Sequence, residues 1–119
     1  MKKKSFCIIS GSRADYDLLK PVMRGIKKVK LFKMFLLVTG SHLSKTHGFT
    51  YKQILKDGFK IDKKIKILPN SDKEEAISKS ISRGIVGFTK IFKKIKPDSI
   101  IVLGDRYEIF SAVISAAFF

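Results

Sequence analysis

The sequence predicts an α/β fold: a parallel sheet with helices packed against it. Three observations carry that expectation. Short apolar runs alternate with longer segments whose apolar residues recur every three or four positions, the pattern of strand–helix–strand units rather than of hairpins. Three of the short runs end in related tripeptides, Gly11-Ser12-Arg13, Gly40-Ser41-His42 and Gly104-Asp105-Arg106. The run at 99–103 is apolar almost throughout, as a strand covered on both faces must be.

The first strand is expected at 5–10, followed by the turn Gly11-Ser12-Arg13-Ala14-Asp15. A helix is predicted from about 17 to 28, with Leu18, Leu19, Val22, Met23 and Ile26 on its buried face. Pro21 falls near its first turn, where a missing N–H costs little, or else kinks it. A second strand at 33–39 runs into Gly40. Residues 50–56 read as a short helix stopped near Gly58. The lysine-rich run at 61–67 is partly alternating, which suits a strand at a sheet edge guarded by charge. Pro69-Asn70 makes a turn, and Ser71 with Glu74 reads as a capping box that starts a helix at about Asp72. Its apolar face is Ile77, Ile81, Ile85, Phe88, Phe92 and Ile95, and Pro97 ends it. A last helix is predicted from about Tyr107. It is still apolar at Phe119, with no glycine or basic turn to close it, so the chain is expected to be truncated within a helix.

Composition narrows the function. A hydrophobic content of 45% in 119 residues supports a folded core rather than disorder. The net charge of +15 comes from 25 basic residues, of which 21 are lysine. Readers of phosphates and base edges lean on arginine, and the lysines here are scattered through every segment, so a solvated surface is favoured over a nucleic-acid footprint. The apolar run after Lys2-Lys3-Lys4 is four residues long, and 109–119 is too short to span a bilayer. Neither a secretory signal nor a membrane partner is expected. The single cysteine, Cys7, sits in an apolar run and reads as a small core residue in a reducing, cytoplasmic setting.

Chemistry should gather where the strands end. In an open parallel sheet, ligands bind beyond the carboxyl ends of the strands, where strand order reverses. With the order 3-2-1-4, the first and fourth strands flank that point, and Arg13 would share a crevice with Asp105 and Arg106. Taken singly these residues are ambiguous. Asp105 could serve only as a helix N-cap, and Arg13 could pair with Asp15 or Asp17. His42 and His47 lie five apart on a polar loop without cysteine or acidic partners, so no metal is expected. The first turn lacks the glycine spacing of a dinucleotide fingerprint, so no NAD is expected either. Together, guanidinium groups suit a diphosphate and a carboxylate suits proton transfer on a sugar. That pairing is the chemistry of a nucleotide sugar.

Three segments then resemble a known family. Gly11-Ser12-Arg13-Ala14-Asp15-Tyr16 with Leu18-Leu19-Lys20-Pro21, Thr39-Gly40-Ser41-His42-Leu43 with His47-Gly48 and Thr50-Tyr51, and Val102-Leu103-Gly104-Asp105-Arg106-Tyr107-Glu108 resemble the signatures of hydrolysing UDP-N-acetylglucosamine 2-epimerases of sialic-acid and related nonulosonate pathways. The resemblance implies a Rossmann-like sheet forming the N-terminal part of a two-domain GT-B fold, with the active site between the domains. It implies a UDP-sugar substrate, no metal or other cofactor, and a homo-oligomeric full-length enzyme. Such enzymes eliminate UDP to leave a 2-acetamidoglucal and then add water to release N-acetylmannosamine. By the same resemblance Asp105 is an acid/base group near the sugar, Arg13 holds the diphosphate, and His42, Arg106 and His47 contact the substrate. The departure is length. The second domain, with most of the uridine-diphosphate site, the remaining catalytic carboxylates and a histidine are expected beyond residue 119, which leaves 1–119 a partial, inactive domain. Two rivals stand beside this reading: a GT-B glycosyltransferase, and a basic non-catalytic module that binds anions or nucleic acid.

Overall fold

The computed structural model describes residues 2–67, 69, 71–104 and 106–119. Four parallel strands form one sheet in the order β3-β2-β1-β4, from β1 (Lys4–Ser10), β2 (Phe32–Thr39), β3 (Lys63–Ile65) and β4 (Ser99–Ile101). It is the 3-2-1-4 order on which the shared crevice is conditional, and the order of the strands reverses between β1 and β4. The helices are α1 (Arg13–Lys27), α2 (Tyr51–Lys56), α3 (Glu74–Ile95) and α4 (Tyr107–Ala116).

The two-residue period of a strand sorts the core into two layers. Ile8, Leu36 and Val38 face one side and meet Tyr16, Leu19, Met23 and Ile26 of α1 and Ile54 of α2. Cys7, Ile9 and Leu37 face the other side and meet Phe88 and Phe92 of α3 and Ile109 and Ala112 of α4. Cys7 is therefore a core residue, and burial pushes its thiol up to about 12, so it carries no thiolate at neutral pH. Two aspartates pin the short outer strands. Asp62 accepts from the Leu36 N–H at 2.8 Å and donates its own N–H to the Leu36 carbonyl at 2.8 Å. Asp98 does the same for Ser5, at 2.7 and 3.0 Å.

Several boundaries differ from the expectation. Helix α1 begins at Arg13, not Asp17, because the Ser12 hydroxyl caps it by accepting from the Asp15 N–H at 3.2 Å. Its buried stripe is Tyr16, Leu19, Met23 and Ile26, while Leu18 is 69% and Val22 44% exposed. The longer helix puts Pro21 in its interior rather than its first turn, on the exposed side where water can meet the freed carbonyl. Helix α3 begins at Glu74 rather than Asp72, and no capping box forms. Instead the Ser71 hydroxyl accepts from the Lys73 N–H at 3.3 Å, in a local turn that competes with the helix. Its fully buried positions are Ser80, Gly84, Phe88 and Phe92, with Ile77, Ile81, Ile85 and Ile95 only half-buried. The edge strand at 61–67 shortens to β3, and β4 stops at Ile101 rather than Leu103, with Val102 and Leu103 half-buried beyond the ladder. Asn70, half of the expected Pro69-Asn70 turn, lies outside the described residues. Among the described residues, no helix is long and apolar enough to cross a membrane.

Candidate active site

The three glycine tripeptides meet at the carboxyl edge of the sheet. Strand β1 ends in Ser10-Gly11-Ser12, and β2 turns at once into a single 3₁₀ turn, Gly40–Leu43. The Ser41 N–H donates to the Gly11 carbonyl at 3.0 Å, and the Ser41 hydroxyl to the same oxygen at 3.3 Å. Gly40 must be glycine. Its φ of +61° is left-handed, and a Cβ there would lie 2.6 Å from the Gly11 carbonyl oxygen.

The third tripeptide joins through a residue that sequence spacing does not single out. Glu108, in the first turn of α4, is fully buried, and its Oε1 lies 3.1 Å from where a Gly40 Cβ would stand. The Arg106 guanidinium reaches it by donating from Nη2 to Oε1 at 3.1 Å and from Nε to Oε2 at 3.2 Å. The buried carboxylate raises the Arg106 pKa above its ordinary value, so the guanidinium is held charged and aimed, with half its surface still open. A lone acid in the apolar segment Tyr107-Glu108-Ile109-Phe110 is the signal that could have found it. Asp105 lies outside the described residues; Gly104 and Arg106, on either side of it, follow β4.

Arg13 is exposed at the start of α1, its Nε 3.5 Å from Asp17 Oδ1. This is one of the two pairings left open for it, and a solvent-exposed i,i+4 pair of this kind is weak. The guanidinium remains available to a ligand. His42 does not line an open pocket. It is fully buried, with Nε2 2.7 Å from the Ser10 hydroxyl and Nδ1 2.9 Å from the Thr50 hydroxyl. Burial, with a smaller push from the Arg13 charge, lowers its pKa to about 4 against an opposing hydrogen bond that the ring donates to the Ser12 backbone. It is a neutral imidazole that ties the end of β1 to the segment entering α2. His42 is thus buried at the end of β1 with both ring nitrogens already hydrogen-bonded. His47 is exposed on the loop between the 3₁₀ turn and α2, its N–H bonded to the Ser44 carbonyl at 3.2 Å. Among the described residues, neither of the bonds from Ser41 to the Gly11 carbonyl involves it.

Beside this corner lie two hollows. One of about 430 Å³ is lined by Gly40, Leu43, Lys66, Ile67 and Arg83, and one of about 290 Å³ by Gly104, Arg106, Ile109, Phe110 and Val113. Both contain one of the site glycines and a cationic side chain. A groove of about 570 Å³ between β3 and α3 is larger, but no described tripeptide residue lines it. Among the described residues, no three acidic, histidine or cysteine side chains are grouped as a metal site.

Comparison with known proteins identifies relatives of the chain. The family model for UDP-N-acetylglucosamine 2-epimerase matches residues 24–119. The chain is 41% identical over 111 residues to the GDP/UDP-N,N'-diacetylbacillosamine 2-epimerase (hydrolyzing) of Campylobacter jejuni, covering 93% of the chain and 29% of that protein. It is 32% identical over 108 residues to the UDP-N,N'-diacetylbacillosamine 2-epimerase (hydrolyzing) of Legionella pneumophila, covering 91% of the chain and again 29% of the relative. A crystal structure of UDP-N-acetylglucosamine 2-epimerase superposes with a TM-score of 0.83 at 24% identity, over 99% of the chain and 30% of that structure. The Neisseria meningitidis enzyme bound to UDP-GlcNAc superposes at 0.78 and 19% identity, over 96% of the chain and 29% of that structure. The expected Rossmann-like sheet with flanking helices, the N-terminal part of a GT-B fold, is the architecture shared with these structures. The chain spans somewhat under a third of the length of these relatives. With most of its residues matched by one family model and two relatives above 30% identity, the chain belongs to the UDP-N-acetylglucosamine 2-epimerase family.

Proposed function

We propose that the chain is the N-terminal Rossmann-like part of a longer two-domain enzyme, a hydrolysing nucleotide-sugar 2-epimerase acting on a UDP-2-acetamido sugar. The observation that carries this reading is the convergence of the three glycine tripeptides on the β1/β4 reversal, with two guanidinium groups on its rim.

In the proposed reaction the C2–H proton is removed and the C1–O bond breaks. Its electron pair leaves with UDP, and a C1=C2 double bond remains in the sugar. Water then adds across that bond, OH to C1 and H to C2, which releases the free sugar inverted at C2. Arg13 and the Glu108-held Arg106 stabilise the charge that builds on the diphosphate as it leaves, because fixed guanidinium donors need no reorganisation at that moment. Asp105 exchanges a proton near the sugar. Neutral His42 acts as a positioning residue beneath the glycine corner, and His47 is the remaining candidate contact, on the exposed loop. One carboxylate cannot serve both elimination and hydration, so the other acid/base groups belong to the rest of the enzyme, and 1–119 alone is inactive. The same reading carries a cytoplasmic, homo-oligomeric enzyme that needs neither metal nor NAD.

The test uses the full-length protein with UDP-GlcNAc and with UDP-N,N'-diacetylbacillosamine. The expected result is release of UDP and a free 2-epimerised sugar without any acceptor, lost in Asp105→Asn. UDP release that requires a sugar or lipid acceptor would instead make the protein a glycosyltransferase. Near-normal turnover by Asp105→Asn would remove Asp105 from the mechanism.

A further inference from the structure

Asp15 stands in the first turn of α1 and faces the gap between β1 and β4. Its Oδ1 is 3.5 Å from where a Cβ on Gly104 would lie, and its Oδ2 is 3.8 Å from the corresponding points on both Gly104 and Gly11. Two glycines from two different strand ends thus leave room for one carboxylate at the point where strand order reverses. The Oδ2 atom is buried, and among the described residues it has no hydrogen-bond partner. Its backbone N–H is already satisfied by the Ser12 hydroxyl, so capping of α1 does not use the carboxylate.

A buried, unmatched carboxylate oxygen is costly and needs a donor. Neither Arg13 nor Arg106 supplies one; among the described residues their ion pairs are with Asp17 and Glu108. A ligand entering the crevice can supply it. A phosphate is excluded as that ligand group, because it carries only acceptors and a like charge. The matching group is a neutral donor, a hydroxyl or an amide N–H. In the proposed substrate such donors occur on the sugar.

We propose that Asp15 is a specificity-determining residue of this site, whose carboxylate accepts a hydrogen bond from a hydroxyl or acetamido N–H of the sugar while Arg13 and Arg106 hold the diphosphate. The inference rests on the proposed function and adds a division of labour within it. The two cations read the nucleotide end, and one carboxylate reads the sugar end. An orphan oxygen kept for a ligand also has a stability signature. Removing it relieves an unpaired buried group, so the ligand-free protein is not weakened.

The experiment compares wild-type full-length enzyme with Asp15→Asn and Asp15→Ala, using UDP and UDP-GlcNAc as calorimetric probes, together with steady-state kinetics and thermal unfolding without ligand. Both variants are expected to bind UDP within about twofold of wild type. They should bind UDP-GlcNAc roughly 10- to 100-fold more weakly, the range for losing one hydrogen bond to a charged acceptor. Asp15→Ala is expected to unfold at or above the wild-type temperature. Unchanged UDP-GlcNAc affinity overturns the proposal. So does a variant that unfolds well below wild type or fails to fold, because Asp15 then acts as a structural residue. If wild type binds neither probe, the proposed function fails and this inference with it. If wild type binds both and Asp15→Ala binds them equally well, only the inference fails.

Discussion

His42 sets a pH dependence that its geometry makes calculable. Its pKa falls from about 6.5 in the unfolded chain to about 4 in the fold. Between those values the unfolded chain binds the extra proton and the folded protein does not. Stability is therefore full above about pH 6.5 and declines as the solution is acidified towards pH 4. For one group shifted this far the loss between about pH 7.5 and 5 is about 2 kcal/mol. Urea unfolding at the two pH values checks it, and the slope should vanish in His42→Gln; an equal slope in that variant would place the effect elsewhere. Gly40 is the other sensitive residue. Gly40→Ala forces a side chain onto a left-handed backbone and into the Gly11 carbonyl at 2.6 Å, with an expected cost of roughly 2–5 kcal/mol in thermal or denaturant unfolding. Much of this corner is readable in the sequence, since glycine followed by a polar or basic residue after each strand marks the strand ends. What cannot be read there is which polar groups are already consumed. Sequence spacing makes His42 and Arg106 look alike. Only the fold shows that Ser10 and Thr50 occupy both nitrogens of the first, while Glu108 orients the second and leaves it open.

At the scale of elements, the contact between α3 and α4 explains why the buried face of α3 departs from its apolar periodicity. Periodicity counts large apolar residues, and those suggest an isoleucine stripe. The helices instead close on small residues. A Cβ at Gly84 would sit 2.7 Å from Ser111 Oγ and 2.8 Å from Ser111 Cβ, and Ser111 and Ser115 donate across to the Ile81 and Ile85 carbonyls at 3.2 and 3.1 Å. Close backbone approach turns the helix so that Ser80 and Gly84 are buried and the isoleucines flank them. Gly84→Val should therefore cost at least about 2 kcal/mol through overpacking, more than the few tenths that better helix propensity returns. Gly25 in α1 is the contrast, because nothing lies within 4 Å of its would-be Cβ. Gly25→Ala should raise stability by roughly 0.5–1 kcal/mol. Paired melting curves decide this: shifts in the same direction would show that the α3–α4 contact is looser than its geometry. Strands are easier to place than helix starts. Contiguous burial on both faces leaves a clear record of apolar runs in β1 and β2, whereas the choice between Ser12 and Asp17, or Ser71 and Lys73, turns on single hydrogen bonds.

Over the whole molecule, strand–helix alternation is legible because it follows from local pattern, while the strand order, set by pairing between distant segments, and the extent of the active site are not. The described residues supply two guanidinium groups, Arg13 and Arg106, and the glycine corner, which is only part of the proposed chemistry. They also leave an apolar face on α4, with Phe110 55% and Val113 44% exposed and Phe118 78% exposed beyond the helix. An apolar surface beside the Gly104 and Arg106 hollow suits burial against other parts of a longer enzyme. Two outcomes are then expected of purified 1–119. It should bind a hydrophobic dye such as ANS more strongly than the full-length protein does. It should also release no UDP from UDP-GlcNAc above the uncatalysed background, because elimination needs a base at C2 while the diphosphate is held, and hydration needs an acid–base pair in addition. UDP release by 1–119 at a rate near that of the full-length enzyme would mean that Asp105, with the groups already placed around Gly11, Gly40 and Gly104, carries both steps. The division of the chemistry between two domains would then be wrong, even though the family and the fold would stand.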